Sequence, residues 1–214
     1  MVGIPKTIDN DIMYVFRTFG FATALEEAQD ALTCAHVEAK GAPNGIGLVK
    51  LMGRDAGFIA AGATLASQEV NFCLVPEIDF SLDGPNGFLP ALRDRILEKQ
   101  HAVIAVAEGA GQHLFDENNG DCDASGNKQY HDIGLYLRDR ITAYFKQENI
   151  PIALKYTDPS SLICSVPANT ADRLLSDQMA RYAAHSAMAG NTDVLIGMWN
   201  NVFVHVPICT AIRH

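Results

Sequence analysis

Apolar residues fall into two alternating patterns along the chain, runs at helical spacing and short unbroken blocks, with glycine and proline between them. The first helical run covers residues 18–40, where Phe21, Leu25, Ala28, Ala31, Leu32 and Ala35 recur on one face. Thr18 and Thr23 are candidate caps, Glu26, Glu27, Gln29 and Asp30 form the wet face, and Gly41-Ala42-Pro43-Asn44-Gly45 ends the run. Residues 46–52 form an apolar block bounded by turn residues, which predicts a buried strand, and Met52-Gly53-Arg54-Asp55-Ala56-Gly57 then opens a helix rich in small residues. Strands are predicted again over 72–75, 102–107 and 152–156. Helices are predicted around Leu89, Leu92, Ile96 and Leu97, and around Ile133, Leu137, Ile141 and Phe145. The polar stretch 116–129, with its Asn-Asn-Gly and Ser-Gly-Asn turn signals, reads as a surface loop or hairpin insertion. A long helix over 172–189 ends at Gly190, and strands 193–198 and 202–207 flank Asn200-Asn201, a hairpin signal. Strands alternating with helices in this way predict an α/β fold.

Composition narrows the partners. With 214 residues, 48% hydrophobic and 19% charged, the chain has the make-up of a soluble domain large enough for a substantial core. A net charge of −9 argues against a nucleic-acid surface, whose footprint is basic. No apolar run approaches the ~20 residues that span a bilayer, and no signal-peptide pattern opens the chain, so neither nucleic acid nor membrane is an expected partner. The five cysteines lack Cys-x-x-Cys spacing, which predicts reduced thiols as in a cytoplasmic protein, with Cys34 and Cys73 buried and no zinc site.

Candidate chemistry begins at Gly3-Ile4-Pro5-Lys6-Thr7-Ile8-Asp9-Asn10-Asp11. Pro5 biases Ile4 towards extended backbone, so the segment reads as a strand end entering a loop, where ligands of open α/β sheets sit. Asp9 and Asp11 share a face if the segment stays extended and diverge if it turns. One carboxylate can take a proton while the other meets a cation, and Lys6 can hold an anion. Taken alone, Asp9-Asn10-Asp11 reads as a solvated turn before it reads as a site. Three later strand ends also carry charge. Arg54 follows a glycine turn and suits either a phosphate or a surface ion pair. Glu108 ends an apolar strand, where burial without a partner is costly. Lys155 precedes the turn Asp158-Pro159-Ser160-Ser161.

The string Pro5-Lys6-Thr7-Ile8-Asp9-Asn10-Asp11 resembles the catalytic signature of the phosphofructokinases, in the branch with pyrophosphate-dependent and plant-like or trypanosomal ATP-dependent enzymes. Phe19-Gly20-Phe21-Ala22-Thr23-Ala24-Leu25-Glu26-Glu27-Ala28 is similar to the helix that follows this signature, and Met52-Gly53-Arg54 and Ala107-Glu108-Gly109-Ala110-Gly111 are similar to two further family motifs. The resemblance implies a Rossmann-like three-layer α/β fold and phosphoryl transfer from pyrophosphate or ATP to the 1-hydroxyl of fructose 6-phosphate, giving fructose 1,6-bisphosphate in glycolysis. Asp9 falls on the catalytic base and Asp11 on its partner near Mg2+ and phosphate. Thr7 falls on a substrate contact and Lys6 on the lysine associated with pyrophosphate use. Met52 and Gly53 fall on the sugar pocket, Arg54 near the phosphoryl donor, Glu108 on a partner of sugar hydroxyls, and Lys155 on a cation for the 6-phosphate. The family also implies a homo-oligomer, and Gly45 stands where some bacterial members carry an arginine that reaches the adjacent subunit.

The chain departs from the pattern at Ser161 and Cys164, where the branch has a tyrosine and an arginine. Loss of that arginine removes a bidentate phosphate contact. No Gly-Gly-Asp-Gly-like loop is present, although family chains carry glycine-rich donor loops ahead of the signature. The expectation is an incomplete phosphofructokinase fold lacking the N-terminal donor-binding half, and an isolated chain that is inactive or weak. Its predicted parts are 1–17, the end of the donor domain; 18–160, the sugar-phosphate domain; and 161–214, a return segment. The rival expectation is a non-catalytic sugar-phosphate-binding or regulatory paralogue that has discarded the tyrosine and arginine.

Overall fold

A computed structural model describes residues 1–115 and 130–212, so the excursion expected at 116–129 lies outside the described residues. The chain divides into two compact units, Glu27–Leu162 and the pairing of Met1–Glu26 with Ile163–His214.

The larger unit is built on a parallel sheet of four strands. β2 (Gly45–Leu51) lies between β4 (His101–Ala107) and β5 (Ala153–Thr157), and β3 (Phe72–Leu74) flanks β4. Leu51 pairs in register with Ala107, and Val49 with Thr157, so three strands end side by side. β2 and β4 are nearly continuous runs of Val, Ile, Leu, Ala and Gly because both of their faces are covered, as in parallel sheets generally. Helices α1 (Phe21–Lys40, its turns from Glu27 onward in this unit), α2 (Phe58–Ser67), α3 (Phe88–Lys99) and α4 (Ile133–Gln147) return the chain from one strand to the next. Leu32, Leu48, Ile59, Leu92, Ile104, Leu137 and Phe145 are fully buried, each worth about 1.5–3 kcal/mol relative to exposure.

Two expectations for cysteine change here. Cys34 is exposed, because two steps past buried Leu32 turn it to the opposite face of α1. Cys73 is half-buried, and that burial pushes its thiol pKa up. The helix also starts at Phe21 and not at residue 18, after Gly20 at φ +101°.

In the smaller unit β1 (Val2–Gly3) runs parallel to β6 (Val194–Trp199), which pairs antiparallel with β7 (Val202–Pro207). The Asn200-Asn201 turn has positive φ at both residues, +48° and +62°, the geometry that matches hairpin twist. The helices α6 (Thr170–Met188) and α7 (Ile208–Ala211) complete this unit, while the short helix α5 (Ser160–Ile163) belongs to the larger unit except for Ile163. Leu175 and Met179 of α6 pack on Ile196, with Val2, Ile4 and Phe19 around them. Asn169 caps α6 by accepting from the Asp172 amide at 3.0 Å, which moves its start two residues ahead of the sequence expectation.

Asp172 is fully buried, and its Oδ2 accepts from the Thr23 amide at 2.7 Å and the Thr23 hydroxyl at 2.5 Å. Thr23 therefore sits inside the first turn of α1 and is not its cap. Asp172→Ala strands two buried donors and is expected to cost about 3 kcal/mol of stability, read by denaturant unfolding. A loss below about 0.5 kcal/mol would show that the contact is idle.

Candidate active site

The ends of β2 and β4 are joined through their backbones. The Glu108 amide donates to Leu51 O at 2.9 Å, and the Gly109 amide donates to Gly53 O at 3.0 Å. Gly53 has φ +129°, a conformation that only glycine adopts without strain, and this swings the chain so that Arg54 O lies against Gly109. Arg54 Nε and Glu108 Oε1 are then 3.6 Å apart, both side chains partly exposed. Met52 is half-buried beside them in sequence. Glu77 Oε1 accepts from the Gly57 amide at 2.7 Å, just ahead of α2.

Next to this pair is a cluster that sequence reading did not identify. Lys50 Nζ lies 2.8 Å from Asp158 Oδ2 and 3.1 Å from Asp132 Oδ2, and its side chain is only 13% exposed. Asp132 also caps α4, accepting from the Leu135 amide at 3.1 Å. Asp158 accepts from the amide of Ser160 at 3.1 Å and from its hydroxyl. Gln112 donates to Glu108 O and His131 O and accepts from the His131 amide, all at 3.1–3.2 Å. The Tyr130 hydroxyl donates to Asp55 at 2.7 Å.

These contacts shift titration. Burial pushes Glu108 above the ordinary carboxylate range, although Arg54 and Lys50 pull it back part of the way. Burial alone would lower Lys50, yet hydrogen bonds to Asp158 and Asp132 outweigh it and the net shift is upward. Burial likewise opposes ionisation of Asp158, but Lys50 and Ser160 hold it below its usual value. Tyr130 is pushed up to about 12 by burial and by its bond to Asp55. Lys50 is thus a neutralised cation, while Glu108 is a carboxylate near a cation that can accept hydrogen bonds from hydroxyls.

Lys155 stands apart from this group. It pairs in register with Gly47, which abuts Ala35 of α1, and its Nζ lies 3.0 Å from Glu38 on that helix. Lys50 pairs with Val106, and residues an odd number of steps apart in register face opposite sides of a sheet. Lys155 therefore points to the α1 side. Lys50 points to the side where Tyr156 meets Gly134 of α4. Ser161, in α5, and Cys164, just after it, are both exposed.

Lys6, Thr7, Asp9 and Asp11 belong to the smaller unit. There the segment turns: the Thr7 hydroxyl accepts from the Asp9 amide at 3.2 Å, and Asn10 has φ +59°. Asn10 Oδ1 accepts from the Thr18 amide at 2.8 Å, and the buried Thr18 hydroxyl donates to Thr7 O at 2.6 Å. Pro5 O accepts from the Phe19 amide at 3.2 Å. Thr18, expected as a helix cap, is instead the anchor of this loop. The two carboxylates therefore do not line one strand face. Asp9 is half-buried, while Asp11 is exposed with its Oδ1 3.5 Å from the Thr7 hydroxyl.

Two signals for the missed residues were present. Lys50 is the one charge within the apolar block 46–52, and Asp132 stands directly before a periodic helix, where caps occur. Among the described residues no group of three or more His, Cys, Asp or Glu is arranged to hold a metal, and no helix is long and apolar enough to cross a membrane.

The family model for phosphofructokinase matches residues 1–187. The chain is 56% identical to an ATP-dependent 6-phosphofructokinase of Borreliella burgdorferi, over 99% of this chain and 49% of that protein. It is 47% identical to the chloroplastic ATP-dependent 6-phosphofructokinase 5 of Arabidopsis thaliana, over 100% of this chain and 40% of the relative. It thus spans about half the length of the curated relatives it matches. Among solved structures it is similar in fold to phosphofructokinase from Saccharomyces cerevisiae (TM-score 0.74, 21% identity, 98% of this chain and 26% of that one). It is also similar to a pyrophosphate-dependent phosphofructokinase from Marinobacter aquaeolei (TM-score 0.70, 19% identity, 96% and 49%).

Proposed function

The chain belongs to the phosphofructokinase family, and from that premise we propose that it serves transfer of a phosphoryl group to the 1-hydroxyl of fructose 6-phosphate, a step of glycolysis in the cytoplasm. The observation that carries this reading is the pair of strand ends where Gly53 and Gly109 let Arg54 and Glu108 meet. Glu108 accepts hydrogen bonds from sugar hydroxyls, with Met52 and Gly53 against the ring, and Arg54 neutralises charge on the transferring phosphate. Asp9, whose amide is held by Thr7, takes the hydroxyl proton as that oxygen attacks in line. Lys6 holds a donor phosphate as a point charge. Asp11 is an exposed carboxylate of the kind that magnesium takes singly beside substrate phosphates, and the bound ion would offset charge on the phosphates. ATP is favoured over pyrophosphate as donor because the more similar relatives carry ATP-dependent names. A homo-oligomer is the proposed assembly.

Lys155, the expected cation for the 6-phosphate, lies on the α1 face of the sheet and is paired with Glu38, so any phosphate it holds sits on that face and not on the face of Glu108. Ser161 and Cys164 cannot supply the contacts of the branch's tyrosine and arginine, so sugar affinity is expected to be weak. That departure favours the second reading, a sugar-phosphate-binding paralogue without turnover, which a coupled assay with ATP or pyrophosphate separates from the first.

Calorimetric titration of the chain with fructose 6-phosphate tests the site itself. Saturable binding is expected, weakening as pH falls through the raised titration of Glu108, because the protonated carboxyl loses its charge and part of its acceptor capacity. The ligand's own phosphate titrates near pH ~6, so Glu108→Gln is the control. It should bind about tenfold more weakly, the loss of one charge-assisted contact, and lack the carboxyl part of the pH dependence. Absence of binding in the unmodified chain would sink the reading.

A further inference from the structure

Lys50 is nearly buried, its charge is met by Asp158 and Asp132, and it sits on the strand-end face that carries Glu108. Its two partners come from separate segments. Asp158 begins the turn that leads into Ser161, and Asp132 begins α4. We propose that Lys50 is a positioning residue for the sugar-phosphate site, a clamp that ties the turn after β5 and the start of α4 to the end of β2, and so sets how Ser160-Ser161 stands against Glu108 and Arg54. This rests on the sugar-phosphate reading of the same site.

The geometry separates a clamp from a binding cation. A lysine meant for phosphate needs charge to spare. Lys50 spends its charge on two carboxylates at 2.8 and 3.1 Å, each of which also accepts from a local amide. Those two amides, Ser160 and Leu135, report on the clamp directly. The adjoining Tyr130-His131 segment is fixed as well, by Tyr130 to Asp55 and by the reciprocal Gln112–His131 pair, so Asp132 is presented to Lys50 from a held backbone. Without the ammonium, Asp132 and Asp158 face each other as like charges near Glu108, and the turn is pushed outwards.

The test uses the 214-residue chain with Lys50→Met, Lys50→Arg, and a triple variant, Lys50→Met with Asp132→Asn and Asp158→Asn, which strands no charge. Amide hydrogen exchange and fructose 6-phosphate titration are the two readouts. In Lys50→Met the Ser160 and Leu135 amides should exchange at least about tenfold faster while those of β4 keep their protection, and sugar affinity should fall about tenfold to a hundredfold. Lys50→Arg should restore both. The triple variant should remain folded yet bind as weakly as Lys50→Met. Wild-type affinity in the triple variant, or equal acceleration of all amides in Lys50→Met, would overturn the proposal. If the unmodified chain binds no fructose 6-phosphate while the two amides respond as described, the sugar-phosphate reading fails and the clamp stands alone.

Discussion

Gly109→Ala is expected to destabilise the chain by about 3 kcal/mol and to weaken fructose 6-phosphate binding about a hundredfold. A Cβ at this position would lie 1.6 Å from Arg54 O and 2.6 Å from its carbonyl carbon. Both obstacles are backbone, so no side-chain rotation relieves the overlap and the two strand-end loops must part. Parting breaks the Gly109 to Gly53 hydrogen bond and moves Glu108 and Arg54 together with the loops that carry them. Thermal unfolding and calorimetric titration read the two effects separately. A variant with unchanged melting temperature and affinity would mean that the close approach of the loops is not what builds the site.

The second large effect concerns rate. Asp9→Asn keeps the size and the Thr7-held backbone of the residue while removing its basicity. In a polypeptide that adds to this chain the part of the Borreliella burgdorferi relative that it does not cover, formation of fructose 1,6-bisphosphate should fall about 10²–10⁴-fold, the usual worth of a positioned general base. Affinity for fructose 6-phosphate should change much less, since the proton moves only as the bond forms. Turnover within about tenfold of the parent would remove Asp9 from the role of base and leave proton transfer to water. Turnover lost together with affinity would instead point to a collapsed loop.

Several parts of this molecule were plain in the residues themselves. The apolar block at 102–107 is β4 with one residue added at its start, and the block at 46–52 is β2 shifted by a single residue. Asn200-Asn201 is the hairpin turn that its composition suggested. Charged residues at glycine-rich strand ends did mark Arg54 and Glu108, which the fold brings within 3.6 Å. Cys34 went wrong because burial of a small apolar residue depends on helical phase, and its phase opposes that of Leu32. Thr18 went wrong because a threonine before a helical run suits a cap and a loop anchor equally, and its bonds to Thr7 and Asn10 are what distinguish them.

Periodicity of three to four residues, or of two, is written by near neighbours. Helices, strands, the α/β class and the phosphofructokinase signature were therefore readable before any coordinates. The clamp was not, because Lys50 and Asp132 stand 82 residues apart and meet only through the order in which strands β4, β2 and β5 assemble. The same holds for Asp172 and Thr23, separated by 149 positions. Which of two lysines shares a sheet face with Glu108 is likewise a matter of register between strands, and register places Lys50 there and turns Lys155 towards Glu38. Local spacing decides what a segment becomes, whereas the pairing of distant segments decides which charges must neutralise one another.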